Sequence, residues 1–294
     1  MRNAALLAAI WLMGCATPGV DLLVPRRLEE CGPGRLERVD GLDAAIAIDT
    51  SSSTARPSGS DIDADGTTGE LHHGIPTDPD DSMLASEVAA VYSLLALLPE
   101  RDLRLAIVGF SGRREVAEQA SVVVREREAV VHARLTSDPF ALGEALRRVL
   151  RKGSRGNTDF AAAIRRSLRA LPDDGRRRVV LMISDSPEPV LPIPSHPSYR
   201  ALRPFDGSDP DLQPVARQAI RSRVVVHTIG LGEAADTDPP HTLSRLAGAT
   251  GGSYTSVSDP ARLHCALLDS LTPGKGNDAP RRRSADVGSF ARLR

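Results

Sequence analysis

The sequence predicts a doubly wound α/β domain: a mostly parallel six-stranded sheet with one antiparallel edge strand and helices on both faces. Three observations carry this reading. From Asp43 onward, short apolar runs alternate with helical patterns, as in repeated strand–helix units. Most of the runs are nearly continuous in apolar residues, which fits strands covered on both sides. Asp-Pro pairs recur where helices should begin, each setting a capping carboxylate before a residue with no N–H to lose.

In chain order, the strands are expected at Ala44 to Ile48, Leu103 to Phe110, Val179 to Ser184, Val224 to Leu231 and Ser253 to Val257. Ser121 to Leu135 differs, since Arg125, Glu126, Arg127 and Glu128 interrupt it. That charge reads as the exposed turn of an antiparallel hairpin at the sheet edge. Leu84, Val88, Val91, Leu95 and Leu98 form one helical stripe before Pro99, and Phe160, Ile164, Leu168 and Leu171 form another before Pro172. Further helix starts are marked by Asp138-Pro139, Asp209-Pro210, Asp238-Pro239 and Asp259-Pro260. The stretch from Pro187 to Pro210 holds seven prolines and reads as a semi-rigid loop.

Composition narrows the function classes. With 294 residues, 41% of them hydrophobic, the chain can bury a large core. A net charge of -1 supplies no global field for nucleic acid, and 3% aromatic content leaves few rings for base stacking, so nucleic-acid binding is not expected. The flanks read differently from the centre. Arg2 followed by an apolar run from Ala4 to Met13 has the length of a signal-peptide core, giving a leader over residues 1–14. Leu12-Met13-Gly14-Cys15 resembles a bacterial lipobox, which makes Cys15 the expected lipidation site. A lipid there would tether the chain to a membrane without spanning it. Ala16 after the cysteine resembles lipoproteins sent to the outer membrane. Residues 15–40 then form a tether, 41–272 the domain with an Asp/Gly-rich insertion at 54–81, and 273–294 a basic tail expected to be disordered.

Three polar signatures carry the chemistry: Asp49-Thr50-Ser51-Ser52-Ser53, Gly156-Asn157-Thr158-Asp159 and Ser184-Asp185-Ser186. The first and third close apolar strands, and the second opens a helix. In an open parallel sheet these positions converge beyond the carboxyl ends of the strands. Asp49, Ser51, Ser53, Thr158 and Asp185 therefore offer oxygen ligands to one hard cation. Each signature alone also reads as an ordinary turn or helix cap. Their order and spacing resemble the metal-ion-dependent adhesion site of von Willebrand factor A domains. The resemblance runs from Gly41 to Leu271, with Arg104 to Gly112 similar to the second strand of that family. Val226 to Gly232 is similar to its late central strand, and Gly251-Gly252-Ser253-Tyr254 to the entry into its last.

The resemblance implies Mg²⁺ or Mn²⁺, held directly by the serines and threonine and through water by the aspartates. A carboxylate from a partner would complete the coordination. Ser186 departs from the family, which commonly has Gly there. Tyr199, Arg200 and Phe205, from the proline-rich loop after Asp185, are the expected partner-binding residues. With Cys15 lipidated, Cys31 and Cys265 remain as a disulfide closing a very long loop or as two buried thiols; terminal staples in some family members favour the bond. In the insertion, Asp61, Asp63, Asp65 and Gly66 have the spacing of a calcium loop, with Asp78, Asp80 or Asp81 available to complete it. The match is partial, because His72 stands where an EF-hand supplies Glu.

The function expected from these readings is non-enzymatic. It is a lipid-anchored binding module of the bacterial cell envelope whose rim cation takes an Asp or Glu of a protein or extracellular-matrix partner. Two alternatives are a structural subunit of an envelope assembly and a metal-dependent hydrolase with Asp49 or Asp185 as base. A hydrolase built instead on Ser51 or Ser111 has no base and orienting acid placed by motif.

Overall fold

The computed structural model describes residues 28–31, 40–72, 75–112, 129–156, 158–185, 212–232 and 242–272. Cys15, Ser186, Tyr199, Arg200, Phe205, the proline-rich loop and the basic tail lie outside the described residues. So do the caps expected at Asp209 and Asp238, and the first arm of the edge hairpin.

Among the described residues eight strands form: β1 (Leu42–Asp49), β2 (Leu71–His72), β3 (Ile75–Pro76), β4 (Leu103–Phe110), β5 (Ala129–Thr136), β6 (Arg177–Ser184), β7 (Val225–Leu231) and β8 (Tyr254–Val257). Six of them make the main sheet, in the order β5-β4-β1-β6-β7-β8, while β2 and β3 pair as a small hairpin in the insertion. All neighbours in the main sheet run parallel except β4 and β5. The antiparallel edge strand is thus where the charged stretch led it to be expected.

The helices are α1 (Met83–Leu94), α2 (Pro139–Lys152), α3 (Phe160–Ala170), α4 (Leu212–Arg221), α5 (Thr242–Thr250) and α6 (Leu263–Leu271). They divide evenly between the two faces of the sheet because successive strand side chains point to opposite sides. Ile46, Ile48, Leu105, Ile107, Leu181 and Ile183 pack on one face against α1, α2 and α6. Ala45, Ala47, Ala106, Val108, Val180 and Met182 pack on the other against α3, α4 and α5. Every residue of β1 is buried, so the strand that ends at Asp49 lies at the centre of the molecule.

Two expected boundaries shift. The first stripe does not run as one helix to Pro99: α1 stops at Leu94 and the chain tightens into a 3₁₀ turn over Leu95–Glu100 that contains the proline. Tightening keeps Leu95, Leu97 and Leu98 in the core, where an α-helix would have lost a hydrogen bond to Pro99. Asp259-Pro260 likewise opens a 3₁₀ turn (Pro260–Arg262), with Asp259 Oδ1 accepting the Ala261 N–H at 3.0 Å, before α6 begins. Asp138 caps α2 as expected, accepting from Phe140, and Asp159 of the second signature caps α3, accepting from Ala162.

Cys31 and Cys265 are bonded. The bridge fixes the short 3₁₀ turn Leu28–Cys31, whose Leu28 enters the core, to α6 across 234 positions of sequence. At the opposite ends of the strands from Asp49, Asp43 is fully buried and receives Arg104 through Nε (2.8 Å) and Nη2 (2.6 Å), and Arg176 through Nε (2.8 Å). This clamp joins the starts of β1 and β4 to the turn before β6.

Candidate metal centre

β1 and β6 are parallel neighbours in register Ile48↔Ile183, so their ends bring Asp49 and Ser184 side by side. Ser184 Oγ donates to Asp49 Oδ2 at 2.5 Å. The other carboxylate oxygen, Oδ1, accepts the Ser51 N–H at 2.8 Å, which turns the chain sharply after the strand. Thr50 secures the turn to β4 through its N–H and Oγ1, both donated to the Phe110 carbonyl. Ser51 Oγ then lies 3.0 Å from Ser53 Oγ, and Ser53 Oγ donates to Asp185 Oδ1 at 2.6 Å. Arg56 Nη2 donates to Asp185 Oδ2 at 3.1 Å.

Asp49, Ser51, Ser53 and Asp185 are therefore joined in one network, as their placement at strand ends predicts. Thr158 is positioned by a different device. Ser52 donates its N–H to the Gly156 carbonyl at 2.9 Å and Arg155 donates its N–H to the Thr50 carbonyl at 2.7 Å, which stitches the turn before α3 onto the first signature. Gly156 sits at φ 76°, a backbone region a side chain would strain. Thr158 follows on this turn, partly exposed, and is not joined to the other four by a direct bond among the described residues. Its neighbour Asp159 serves as the α3 cap.

Burial and crowded carboxyl groups set the site's electrostatics, and one of those groups lies outside the signatures. Glu87 on α1 is fully buried, its Oε2 accepts the Asp49 N–H at 3.0 Å, and its Oε1 has no hydrogen-bond partner among the described residues. Burial and then the Asp185 charge push the Asp49 carboxyl up to about 7. Burial, then Asp49 and Asp185, hold Glu87 well above its ordinary range. Burial also raises Asp185, against the pull of Ser53 and Arg56. Three carboxyl groups are thus crowded into a low-dielectric end of the sheet beside one half-exposed guanidinium. An all-oxygen donor set with surplus negative potential and an unpartnered buried oxygen fits a hard divalent cation.

Sequence patterning did not single out Glu87 or Arg56, and it named Ser184 within the third signature without giving it a ligand role. Glu87 carried a signal: it stands three residues after Leu84 and four before Val91, a charge on the apolar stripe of α1. Arg56 follows the first signature and resembles an ordinary turn residue.

In the insertion, Asp61, Asp63 and Asp65 each place a carboxylate oxygen within 4.8 Å of the others. Asp81 does not extend this set. It is fully buried, with Oδ1 accepting the Ile62 N–H (2.6 Å) and Oδ2 the Gly69 N–H (3.2 Å), so it organises the loop from within. Asp78 Oδ1 accepts the Asp80 N–H at 3.0 Å. His227 is occupied by Ser253, with Nδ1 and Oγ 2.9 Å apart, a contact between β7 and the turn before β8.

The family model of the von Willebrand factor type A domain matches residues 45–188, a span that takes in all three signatures. The fold is that of a von Willebrand factor A domain. Among solved structures, the conserved hypothetical protein BatB from Bacteroides thetaiotaomicron is similar at 14% identity and a TM-score of 0.51, over 78% of this chain and 97% of that one. The D319A mutant of the PilB minor pilin from Streptococcus sanguinis is similar at 10% identity and a TM-score of 0.50, over 78% of this chain and 61% of that one. At these identities the likeness is one of fold. No curated protein matches the sequence. In this von Willebrand factor A fold the network sits at the carboxyl ends of the central strands, where open α/β sheets bind their ligands.

Proposed function

We propose that this protein is a binding module whose rim cation, Mg²⁺ or Mn²⁺, is held by Asp49, Ser51, Ser53, Thr158 and Asp185 and captures an acidic group of a protein or matrix partner. The observation that carries the reading is the continuous network from Asp49 through Ser51 and Ser53 to Asp185, joining two buried carboxylates across 132 positions between Ser53 and Asp185. Hydroxyl ligands leave much of the ion's charge uncompensated, which favours an incoming carboxylate. The fold is one that commonly mediates protein interactions. Tyr199, Arg200 and Phe205, which follow Asp185 in sequence, would contribute the surrounding surface.

Cys15 would anchor the module to the envelope, at the outer membrane, in keeping with the lipobox-like Leu12-Met13-Gly14-Cys15. Among the described residues no helix is long and apolar enough to cross a membrane. Ca²⁺ in the Asp61, Asp63 and Asp65 loop would be a separate, stabilising ion.

Titration of the folded protein with Mg²⁺ and Mn²⁺, followed by capture from envelope extract with wild type and Asp49→Ala, tests the reading. Metal should raise the melting temperature of wild type alone, and capture should require both metal and Asp49. Unchanged stability and unchanged capture in both proteins would remove the adhesion-site function. Metal-dependent turnover of simple esters or phosphoesters would replace it with the hydrolase.

A further inference from the structure

We infer that Arg56 is a resident counter-ion of the rim site, which holds Asp185 in the metal-free protein and competes with the divalent cation for it. The inference rests on the metal-binding reading above and concerns how that site is regulated.

Both oxygens of Asp185 are engaged: Oδ1 accepts from Ser53, and Oδ2 accepts from Arg56 Nη2 at 3.1 Å. The Arg56 side chain is 51% exposed while that of Asp185 is fully buried, so the guanidinium covers the carboxylate from the solvent side. Arg56 Nε also donates to the Ser53 carbonyl at 3.2 Å, folding the side chain back over the turn that carries Ser51 and Ser53. One cationic side chain thereby spans two of the elements expected to hold the ion.

Two properties make this contact exchangeable. The backbone of Arg56 is fixed at both ends, its N–H donated to the Ser53 carbonyl (3.0 Å) and its own carbonyl accepting the Met83 N–H (2.8 Å). Only the side chain has to move when an ion arrives. A half-exposed ion pair is also weakened by water and salt, so the guanidinium can leave without disturbing the fold. While it stays, its charge opposes a second cation nearby and occupies an oxygen that the ion or its bound water needs. It also offsets the repulsion among Asp49, Glu87 and Asp185 that an empty site would otherwise suffer. The competition lowers metal affinity and keeps the metal-free protein folded with its rim assembled.

Calorimetric titration with Mn²⁺ and melting in EDTA, on wild type, Arg56→Gln, Arg56→Lys and the same Arg56→Gln change in an Asp185→Asn background, test this. Arg56→Gln should bind Mn²⁺ about three- to tenfold more tightly than wild type. It should also melt at a lower temperature in EDTA. Arg56→Lys, which keeps the charge, should stay within about twofold of wild type. In the Asp185→Asn background Arg56→Gln should change nothing. Wild-type binding with equal or weaker affinity in Arg56→Gln would overturn the role of Arg56 and leave the metal site standing. Absence of Mn²⁺ binding in both wild type and Arg56→Gln would instead overturn the metal site, and this inference with it.

Discussion

Glu87 accepts the backbone N–H of Asp49 at 3.0 Å from the middle of a helix face that is otherwise apolar. A buried carboxylate aimed at the residue ending the central strand does two things. It fixes the direction in which Asp49 leaves β1, and it places behind a site already holding Asp185 a further carboxyl whose ionised form a bound cation would favour. Glu87→Ala removes the acceptor and leaves a void among Leu84, Val88 and Val91, at an expected cost of about 2–4 kcal/mol. Glu87→Gln keeps an acceptor and discards the charge. Urea unfolding without metal should find Glu87→Gln losing less than half as much stability as Glu87→Ala, with metal affinity lowered in both.

The raised Asp49 carboxyl makes stability depend on pH in a defined direction. Its ordinary value of 3.8 rises to about 7 on folding, so between these limits the folded state holds a proton that the unfolded state releases. The associated stability is full below the lower limit and is lost as pH rises through the upper one. Glu87 and Asp185 shift in the same direction. Melting in EDTA should therefore occur at a lower temperature at about pH 8 than at about pH 5, a difference reduced in Asp49→Asn. Saturating Mg²⁺ should reverse the trend, because the ion binds the deprotonated carboxylates.

The Asp43 clamp provides a contrast at the other end of the same strand. Asp43→Ala removes the buried acceptor that Arg104 and Arg176 share, while Asp174 and Asp102 still hold the two guanidinium groups, and should cost about 1–3 kcal/mol. Asp43 lies six positions along the strand from Asp49, roughly 20 Å. Metal affinity of the folded variant, measured by calorimetry, should therefore match wild type even though its denaturation midpoint falls.

Loss of the Cys31–Cys265 bridge releases the turn Leu28–Cys31 from α6. A closed loop of 234 positions restricts the unfolded chain strongly, and Cys31→Ser with Cys265→Ser should cost about 2–5 kcal/mol in denaturant. The same loss should follow reduction of the wild-type protein, and neither should alter Mn²⁺ binding.

The order of strands and helices was legible because burial imposes a period on the residues that form them. The apolar runs of β1, β4 and β6 and the stripe of α3 announce themselves one segment at a time. Strand-end placement also foretold that Asp49 and Asp185 would meet. Patterning failed at Pro99, where filling the core with Leu97 and Leu98 outweighed continuation of the α-helix. It failed again at Asp81, an acidic residue of an acidic loop that proves to hold that loop through the Ile62 and Gly69 N–H groups.

By itself, the sequence determined the doubly wound architecture, the antiparallel edge and the convergence of the three polar signatures on one rim, since each follows from local periodicity and strand direction. Only the tertiary structure decided that Glu87 stands behind Asp49, that Arg56 covers Asp185, and that Cys31 reaches Cys265. Those contacts join residues 38, 129 and 234 positions apart. Nothing local specifies such pairs: they are set by how α1 and α6 pack on the sheet and how the turn after β1 folds over its neighbour, which place particular charges and thiols within bonding distance.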